Sequence, residues 1–287
     1  MFYPFYPIFR NQIRTIPYII FLMSRSDIFE YDNERIAYKI VGSGKPLLIL
    51  HGWGSSSDVM MSVAKKVEAL RTCYLIDFPG FGDSPEPKNA WSVSNYTKMV
   101  EKFIIEVIQN ESTDLLVHSY GARVALKLLS DKSASQKIDK VIITGGAGLK
   151  PRRKPVYYLK KYTAKILKMP FLFLPGSLRE TGLNRLRNSA IWKKLGSSDS
   201  QKLSGVMRET FVKSVTEYLD PLLQKIDHEI LLIWGENDAA TPIDQGIRLE
   251  KGLKNSALVK IKDAGHYAFL DQPYQFDAVL KAYLEAE

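Results

Sequence analysis

Short apolar runs alternate with longer amphipathic stretches along the chain from about residue 27. The apolar runs are continuous, as is typical of strands that are covered on both faces of a parallel sheet. In the stretches between them, apolar residues recur at helical spacing. The predicted strands are 27–31, 35–41, 46–50, 72–76, 114–117, 141–144, 230–234 and 258–261, and the predicted helices are 59–70, 96–108, 122–129, 245–253 and 273–284. We therefore expect an α/β fold with a mostly parallel sheet of eight strands flanked by helices.

The alternation is interrupted once, by the long segment between the runs that end at Thr144 and begin at Ile230. This segment is too long for a structureless loop in a compact domain. Its sequence is helical in pattern, aromatic and rich in lysine. We therefore expect an inserted helical lid over residues 149–225, between a first core segment at 27–148 and a second core segment at 226–287.

The first 22 residues combine aromatic, proline and isoleucine residues with two arginines. Their apolar run at 16–23 is interrupted by Pro17 and is much shorter than the ~20 residues of a membrane helix. No small-residue cleavage pattern of a signal peptide follows it. We expect residues 1–22 to be an upstream translation artefact or a floppy tail of a cytoplasmic protein, with a weak membrane anchor as the alternative.

The composition is that of a globular protein, with 45% hydrophobic and 25% charged residues. It excludes disordered, collagen-like and coiled-coil chains. A single cysteine, Cys73, excludes an internal disulfide framework and a cysteine-rich metal site. The net charge of +9 is concentrated in the expected lid, because residues 149–225 hold 17 basic and 5 acidic side chains. No module that reads nucleic acid accompanies this charge, so we expect no nucleic-acid partner.

The expected lid is therefore both basic and aromatic. We interpret its aromatic side chains as including residues that line an apolar acyl pocket, the alternative being that they pack the lid onto the core. Its basic residues, Arg152-Arg153-Lys154 and Lys160-Lys161 above all, either form a solvated face or attract an anionic partner. Such a partner would be a carrier-bound acyl chain, a carboxylate-bearing ester or a lipid headgroup; contact with a membrane is not expected. The aromatic residues are Tyr157, Tyr158, Tyr162, Phe171, Phe173 and Trp192.

Ser119 lies where a predicted strand meets a predicted helix, in Val117-His118-Ser119-Tyr120-Gly121. A serine in such a turn is a nucleophile elbow, a strained corner that exposes Oγ at the edge of the sheet. The following N–H lies at a helix start, where backbone donors are free to bind an oxyanion. The usual pattern is G-x-S-x-G, and Val117 departs from it.

Two further residues follow later strands, Asp238 after 230–234 and His266 after 258–261. Ser119, Asp238 and His266 thus come in the order nucleophile, acid and base, which is one of the orders in which this catalytic set occurs. Glu236 competes with Asp238 for the role of the acid, and the G-x-x-D spacing favours Asp238. Residues 144–148, which follow the preceding predicted strand, contain no carboxylate and so offer no alternative acid.

Taken together, these motifs resemble the α/β-hydrolases over residues 27–287. The resemblance rests on His51-Gly52-Trp53-Gly54, Asp77-Phe78-Pro79-Gly80-Phe81-Gly82-Asp83-Ser84, His118-Ser119-Tyr120-Gly121, Gly235-Glu236-Asn237-Asp238 and Gly265-His266. The first two motifs are similar to those of carboxylesterases that act in biotin synthesis and, more loosely, of C–C bond hydrolases of aromatic degradation. The resemblance implies an oxyanion hole formed by the main-chain N–H groups of Trp53 and Tyr120, and His51 is interpreted as a structural residue beneath that loop.

We therefore expect a serine hydrolase that cleaves a carboxylic ester or thioester through an acyl-enzyme, with Ser119 as nucleophile, His266 as base and Asp238 orienting the histidine. No cofactor or metal is expected, since no phosphate loop or H-E-x-x-H spacing occurs. Two alternatives stay open: C–C bond hydrolysis of a diketone-type substrate, and a non-catalytic ligand receptor on the same fold, the latter suggested by Val117.

Overall fold

The computed structural model of the protein describes residues 24–109, 112–152, 155–189 and 205–286, with the backbone alone described at 155–161 and 187–188. The expectations for residues 1–22 therefore lie outside the described residues.

A single eight-stranded sheet forms the centre of the molecule, as predicted. Its spatial order is β1-β2-β4-β3-β5-β6-β7-β8. The first two strands form an antiparallel hairpin, β2 pairs antiparallel with β4, and all the remaining pairs are parallel. The strands are β1 Arg25–Tyr31, β2 Glu34–Gly42, β3 Lys45–Leu50, β4 Arg71–Ile76, β5 Thr113–His118, β6 Ile138–Thr144, β7 Glu229–Gly235 and β8 Asn255–Ile261.

Helices cover both faces of this sheet and form most of the described part of the inserted segment. None of the described helices is both long enough and apolar enough to cross a membrane. The helices are α1 Ser57–Val67, α2 Val93–Phe103, α3 Gly121–Leu129, α4 Pro155–Leu172, α5 Gly176–Asn188, α6 Gly205–Thr216, α7 Ile243–Gly252, α8 Ala268–Asp271 and α9 Pro273–Glu285. A π-helical turn, Ile104–Ile108, continues α2, and a 3-10 turn, Asp220–Lys225, precedes β7.

Several predicted elements begin two or three residues earlier than the apolar pattern indicates, and α2 and β8 are examples. Helix α2 begins at Val93 because Ser92 caps it, with the Asn95 side chain accepting a hydrogen bond from the Ser92 N–H at 2.9 Å. Strand β8 begins at Asn255, where it already pairs with Glu229 of β7. The amino-terminal half of this edge strand lacks a continuous apolar run because it is only partly buried.

The core consists of two layers, one on each face of the sheet. Phe103 and Tyr96 of α2 pack with α3 residues against one face, and both side chains are fully buried. Met60 of α1 and Phe276 of α9 pack against the other face. Because both faces are covered, the central strands are apolar on both sides, which explains their continuous hydrophobic runs.

The inserted segment has two parts that relate differently to the core. Helices α4 and α5 pack against each other, and the Phe171 ring lies so close to Gly182 that a Cβ there would stand 2.3 Å from its Cδ1. Helix α6 instead lies on the core, and its side chains at Met207, Thr210 and Ser214 are buried. The lid boundaries predicted from sequence therefore enclose a hairpin and a core-bound helix.

A buried carboxylate anchors the start of β5, the strand that leads to Ser119. Asp114 is fully buried, and its oxygens accept hydrogen bonds from Arg71 Nε at 2.9 Å and Lys45 Nζ at 2.7 Å. Arg71 also donates to the main-chain carbonyl of Leu284 in α9 at 2.7 Å. The pairing therefore connects β3, β4, β5 and the last helix at the edge of the sheet opposite to the candidate site.

We expect Asp114→Ala to lower the free energy of unfolding by about 3 kcal/mol, because it leaves the Arg71 guanidinium, whose side chain is only 11% exposed, without its carboxylate partner. Urea denaturation followed by circular dichroism measures this loss. Asp139→Ala is the matched control, since Asp139 also pairs with Lys45, at 2.5 Å, but is 56% exposed. That variant should lose less than about 1 kcal/mol. Equal losses in the two variants would contradict an anchoring role for Asp114.

Candidate active site

Ser119 occupies a strained turn between β5 and α3. Its φ angle is 51°, in the left-handed region that a non-glycine residue seldom adopts. The turn is fixed by main-chain hydrogen bonds, from Ser119 N–H to Thr144 O at 3.0 Å and from Ala147 N–H to Ser119 O at 2.9 Å. Gly121 is required there because a Cβ would lie 2.8 Å from the carbonyl oxygen of Leu50. The local structure is the elbow predicted from the sequence.

Val117, which departs from the usual elbow pattern, does not distort this turn. Its side chain is fully buried in the core layer beneath α2 and α3. The main chain continues β5 in register with β6 through His118, which is opposite Thr144. The valine therefore contributes to packing on the helix side of the strand.

Three residues from distant parts of the chain meet at this turn. The Nε2 atom of His266 lies 2.9 Å from Ser119 Oγ, and its Nδ1 atom lies 2.8 Å from Asp238 Oδ2. Asp238 lies in the loop after β7 and His266 in the loop after β8. The structure thus brings together the three residues selected from the sequence, whereas Glu236 points its side chain into solvent.

Asp238 is buried, and its ionised form is held by several donors. One oxygen accepts the N–H groups of Ala240 at 2.9 Å and Thr241 at 2.8 Å. The other oxygen faces His266. Burial favours the neutral acid, but the hydrogen bonds from His266 and Thr241 outweigh it and hold the pKa of Asp238 below its usual value. The carboxylate is therefore charged at neutral pH and able to stabilise a positive imidazole ring.

Thr241 is a functional residue that the sequence interpretation missed. Its hydroxyl lies 2.9 Å from Asp238 Oδ2, 2.8 Å from the carbonyl oxygen of Gly145 and 3.3 Å from His266 Nδ1. The spacing Asp-x-x-Thr, in which an aspartate accepts N–H groups two and three residues ahead, is an Asx turn and was the available signal. Thr241 is a positioning residue, because it holds the carboxylate and not a substrate.

Gly145 makes room for this arrangement. Its φ angle is 53°, and a Cβ would stand 3.2 Å from His266 Nδ1 and 3.3 Å from Asp238 Oδ2. Its carbonyl oxygen is also an acceptor of the Thr241 hydroxyl. The glycine-rich stretch after β6, which supplies no acid, thus supports the acid that comes from the next strand.

Trp53 and Tyr120, the residues predicted to form an oxyanion hole, both border Ser119: Tyr120 follows it in the chain, and a Cβ on Gly52, next to Trp53, would lie 3.0 Å from Ser119 Cβ. In the described part of the chain, neither of their main-chain N–H groups donates a hydrogen bond to another protein group. The Trp53 loop is held from below by His51, whose Nδ1 lies 2.7 Å from Gly52 O and whose Nε2 accepts the Phe78 N–H at 2.9 Å. His51 is fully buried, and burial lowers its pKa. His51 therefore lies beneath the Trp53 loop, where the sequence predicted a structural role for it.

His118 lies directly behind His266. The two rings are 4.7 Å apart between centroids, and His118 Nε2 donates to the main-chain oxygen of His266 at 3.1 Å. Burial, together with the neighbouring His266, lowers the pKa of His118 to about 3. It is thus a neutral support for the His266 loop.

Helix α6 covers one side of the site with aromatic and polar contacts. The Phe211 ring lies 5.1 Å from the Trp53 ring, which also contacts Phe81 at 4.8 Å and Tyr120 at 5.2 Å. The Tyr120 hydroxyl shares a 2.9 Å hydrogen bond with Ser214 Oγ of the same helix. Phe211 was not singled out from the sequence, since nothing in the pattern distinguishes it from the other lid aromatics.

Of the six lid aromatics expected to include pocket-lining residues, three have side chains that the structure describes. Tyr162 and Phe173 are 60% and 82% exposed, and Phe171 packs within the hairpin of α4 and α5. The side chains of Tyr157, Tyr158 and Trp192, like those of Arg153, Lys154, Lys160 and Lys161, lie outside the described residues. Arg152 is exposed and paired with Asp244 at 2.7 Å. For Tyr162 and Phe173, neither a pocket position nor packing onto the core is seen.

Comparison with known proteins bears on the fold. The family model for the alpha/beta hydrolase fold matches residues 45–273. A 2-hydroxy-6-oxononadienedioate/2-hydroxy-6-oxononatrienedioate hydrolase from Cupriavidus pinatubonensis is 26% identical over 270 residues, which cover 87% of this chain and 90% of the relative.

Solved structures extend the likeness to three dimensions. An esterase from Exiguobacterium antarcticum superposes with a TM-score of 0.68 at 20% identity, covering 90% of this chain and 98% of its own. The 2-hydroxy-6-oxo-6-phenylhexa-2,4-dienoate hydrolase from Rhodococcus sp. strain RHA1 gives 0.67 at 20% identity, covering 92% and 100%. At this identity the likeness is one of fold.

We expect Ser119→Gly to be more stable than Ser119→Ala by about 1 kcal/mol, because glycine adopts the positive φ angle without strain. Both variants lose the same hydroxyl. The difference between their free energies of unfolding, measured with urea, therefore reports the backbone strain at this position. Ser130 is the control position, with a φ angle of −76°. There the order should reverse, with glycine less stable than alanine. Equal stability of the two variants at position 119 would mean that the elbow stores no strain.

Proposed function

The chain belongs to the alpha/beta hydrolase fold family, and we propose that it is a serine hydrolase that cleaves a carboxylic ester or thioester through an acyl-enzyme. The observation that carries the proposal is the unbroken hydrogen-bonded series from Ser119 through His266 to the ionised Asp238. The finer likeness to biotin-pathway carboxylesterases stays a prediction from the sequence.

In the first half of the proposed reaction, Ser119 Oγ attacks the carbonyl carbon while His266 Nε2 takes the hydroxyl proton. The new C–O bond and the oxyanion form together. When the tetrahedral intermediate collapses, the bond to the alcohol or thiol breaks and His266 returns the proton to the leaving group. Asp238 keeps its charge throughout and stabilises the imidazolium, in agreement with its lowered pKa.

In the second half, water takes the place of the serine hydroxyl. His266 removes a proton from the water as it attacks the acyl carbon. When this second tetrahedral intermediate collapses, the C–O bond to Ser119 breaks, His266 returns the proton to Ser119 Oγ, and the carboxylic acid is released. The main-chain N–H groups of Trp53 and Tyr120 would hold the oxyanion in both halves, and their lack of acceptors among the described residues supports this role. Each such donor contributes about 3 kcal/mol to transition-state stabilisation in other enzymes.

The aromatic surroundings of Ser119 favour an apolar acyl group. Trp53, Phe81 and Phe211 form a continuous set of ring contacts beside the elbow. Apolar groups are held by such surfaces through buried area, with a few polar groups fixing orientation. A small-molecule ester with an aromatic or aliphatic acyl part is therefore the substrate that we propose.

A second candidate is the hydrolysis of a carbon–carbon bond in a vinylogous diketone. The observation that favours it is the relative from Cupriavidus pinatubonensis, whose name is that of a hydrolase of a dienedioate of this type. The same serine, histidine and aspartate would act, and the leaving group would be a carbanion that is protonated as the bond breaks. The two candidates differ in substrate, so assays with an ester and with a diketone distinguish them.

We expect a fluorophosphonate probe to label the wild-type protein and to leave Ser119→Ala unlabelled, because only an activated serine reacts with it. Ser119→Ala should also lower ester turnover by about 10⁴-fold or more. Gel fluorescence of the probe and p-nitrophenyl ester hydrolysis measure the two effects. Ser130→Ala is the control and should keep both labelling and turnover.

The outcomes separate the candidates. Turnover that rises with acyl length in p-nitrophenyl esters, in the absence of diketone cleavage, supports the esterase. Ser119-dependent cleavage of a diketone without ester turnover replaces it with the C–C hydrolase. An unlabelled wild-type protein would contradict both and leave a non-catalytic ligand receptor on this fold.

We expect Thr241→Val to lower kcat by about tenfold with little change in KM, since a hydrogen bond to a charged group is worth about 1.5 kcal/mol or more. Thr241→Ser should keep near wild-type kcat because it retains the hydroxyl that lies between Asp238 and Gly145. Steady-state kinetics on one ester measure both. A serine variant as impaired as the valine variant would mean that the methyl group, and not the hydroxyl, is what matters.

A further inference from the structure

A row of apolar side chains lies on the surface of α4. Tyr162, Ile166, Met169 and Phe173 follow one another at intervals of four, three and four residues, so they share one face of the helix and its end. Their exposed fractions are 60%, 64%, 47% and 82%. Scattered exposed apolar residues are ordinary, whereas a continuous row marks an interaction surface.

The rest of the hairpin adds to this surface. Leu172, Leu174 and Leu178, at the end of α4 and the start of α5, are also exposed. Between residues 162 and 189, no side chain that the structure describes is buried. The hairpin therefore presents its apolar residues to the outside, while its internal contact is formed by Phe171 against Gly182.

Positive charge accompanies the apolar row. Lys165 lies beside the row on α4, and Arg179 and Arg185 lie on α5; all three are exposed. Within the described ranges none of the three forms an ion pair, and Glu180 is the acidic residue of the described hairpin. A second copy would bring like charges together, so an anionic partner fits this surface better.

We propose that the α4–α5 hairpin docks onto an anionic lipid surface. An apolar row flanked by lysine and arginine is the pattern of a helix that lies in a membrane interface, with apolar side chains among the acyl chains and cations at the headgroups. The proposal departs from the expectation, based on sequence, that the protein makes no membrane contact; the exposure of the row is the reason. It does not depend on the proposed reaction.

The experiment is co-flotation of the full chain with vesicles of phosphatidylcholine, with and without phosphatidylglycerol. It is performed in the Ser119→Ala background, so that hydrolysis of the lipid cannot obscure binding. We expect the protein to bind the anionic vesicles at least about tenfold more strongly than the neutral vesicles, since each basic residue near an anionic surface strengthens binding by about fivefold. Equal binding to the two vesicle types, or no binding to either, would overturn the proposal.

Two double variants test the assigned residues. Ile166→Ser with Phe173→Ser replaces the two most exposed side chains of the apolar row, and Lys165→Glu with Arg179→Glu reverses two of the three flanking charges; each should weaken anionic-vesicle binding by about tenfold or more. The controls are Tyr274→Ser, at an equally exposed aromatic on α9 (87% exposed), and Lys281→Glu on the same helix. Both controls should bind as the parent does, and thermal denaturation checks that every variant is folded.

Other occupants of the surface would be recognised in the same set of measurements. Residues 1–22 are present in every variant, so binding that survives in both double variants would overturn the assignment to the hairpin. Light scattering after gel filtration reports the oligomeric state. A dimer that dissociates when Ile166 and Phe173 are replaced would overturn the lipid proposal in favour of a second copy of the chain.

Discussion

The parallel alignment of the central strands is the constraint on which the site depends. Strands β3, β5, β6, β7 and β8 all run in one direction, so their carboxyl ends meet at one edge of the sheet. Residues more than a hundred positions apart in the chain, such as Ser119 and His266, are thereby brought within hydrogen-bond distance. The helices that return the chain across the sheet are what make this alignment sterically possible.

A buried charge at that edge has to be supported by polar groups, and the structure shows how. Asp238 loses its hydrogen bonds to water on burial. Hydrogen bonds from the N–H groups of Ala240 and Thr241 and from His266 replace them. Thr241 in turn is held by the main chain at Gly145. The stretch after β6 thus takes part in the site through backbone and hydroxyl contacts. Removing any one donor would leave a buried carboxylate less well satisfied.

The sequence alone predicted the strands and the three central residues, because both have local signals. Continuous apolar runs mark buried strands, and Ser119, Asp238 and His266 each follow one of them. Thr241 and Gly145 have weaker local signals, since their importance lies in a contact between separate loops. The exposure of Ile166 was not predictable either, because helical spacing indicates an apolar face but not what covers that face.

The two parts of the inserted segment differ in how they are joined to the elbow. Tyr120 has its main-chain N–H beside Ser119 and its hydroxyl bonded to Ser214 of α6, while Arg123 of α3 donates to the Ser214 carbonyl oxygen at 3.0 Å. Sequence change in α6 is therefore transmitted to the elbow itself. The hairpin of α4 and α5 has its internal contact at Phe171 and Gly182. In an evolving lineage, or in a laboratory library, α6 must therefore change together with the residues that it touches, whereas the described internal contact of the hairpin does not reach the elbow.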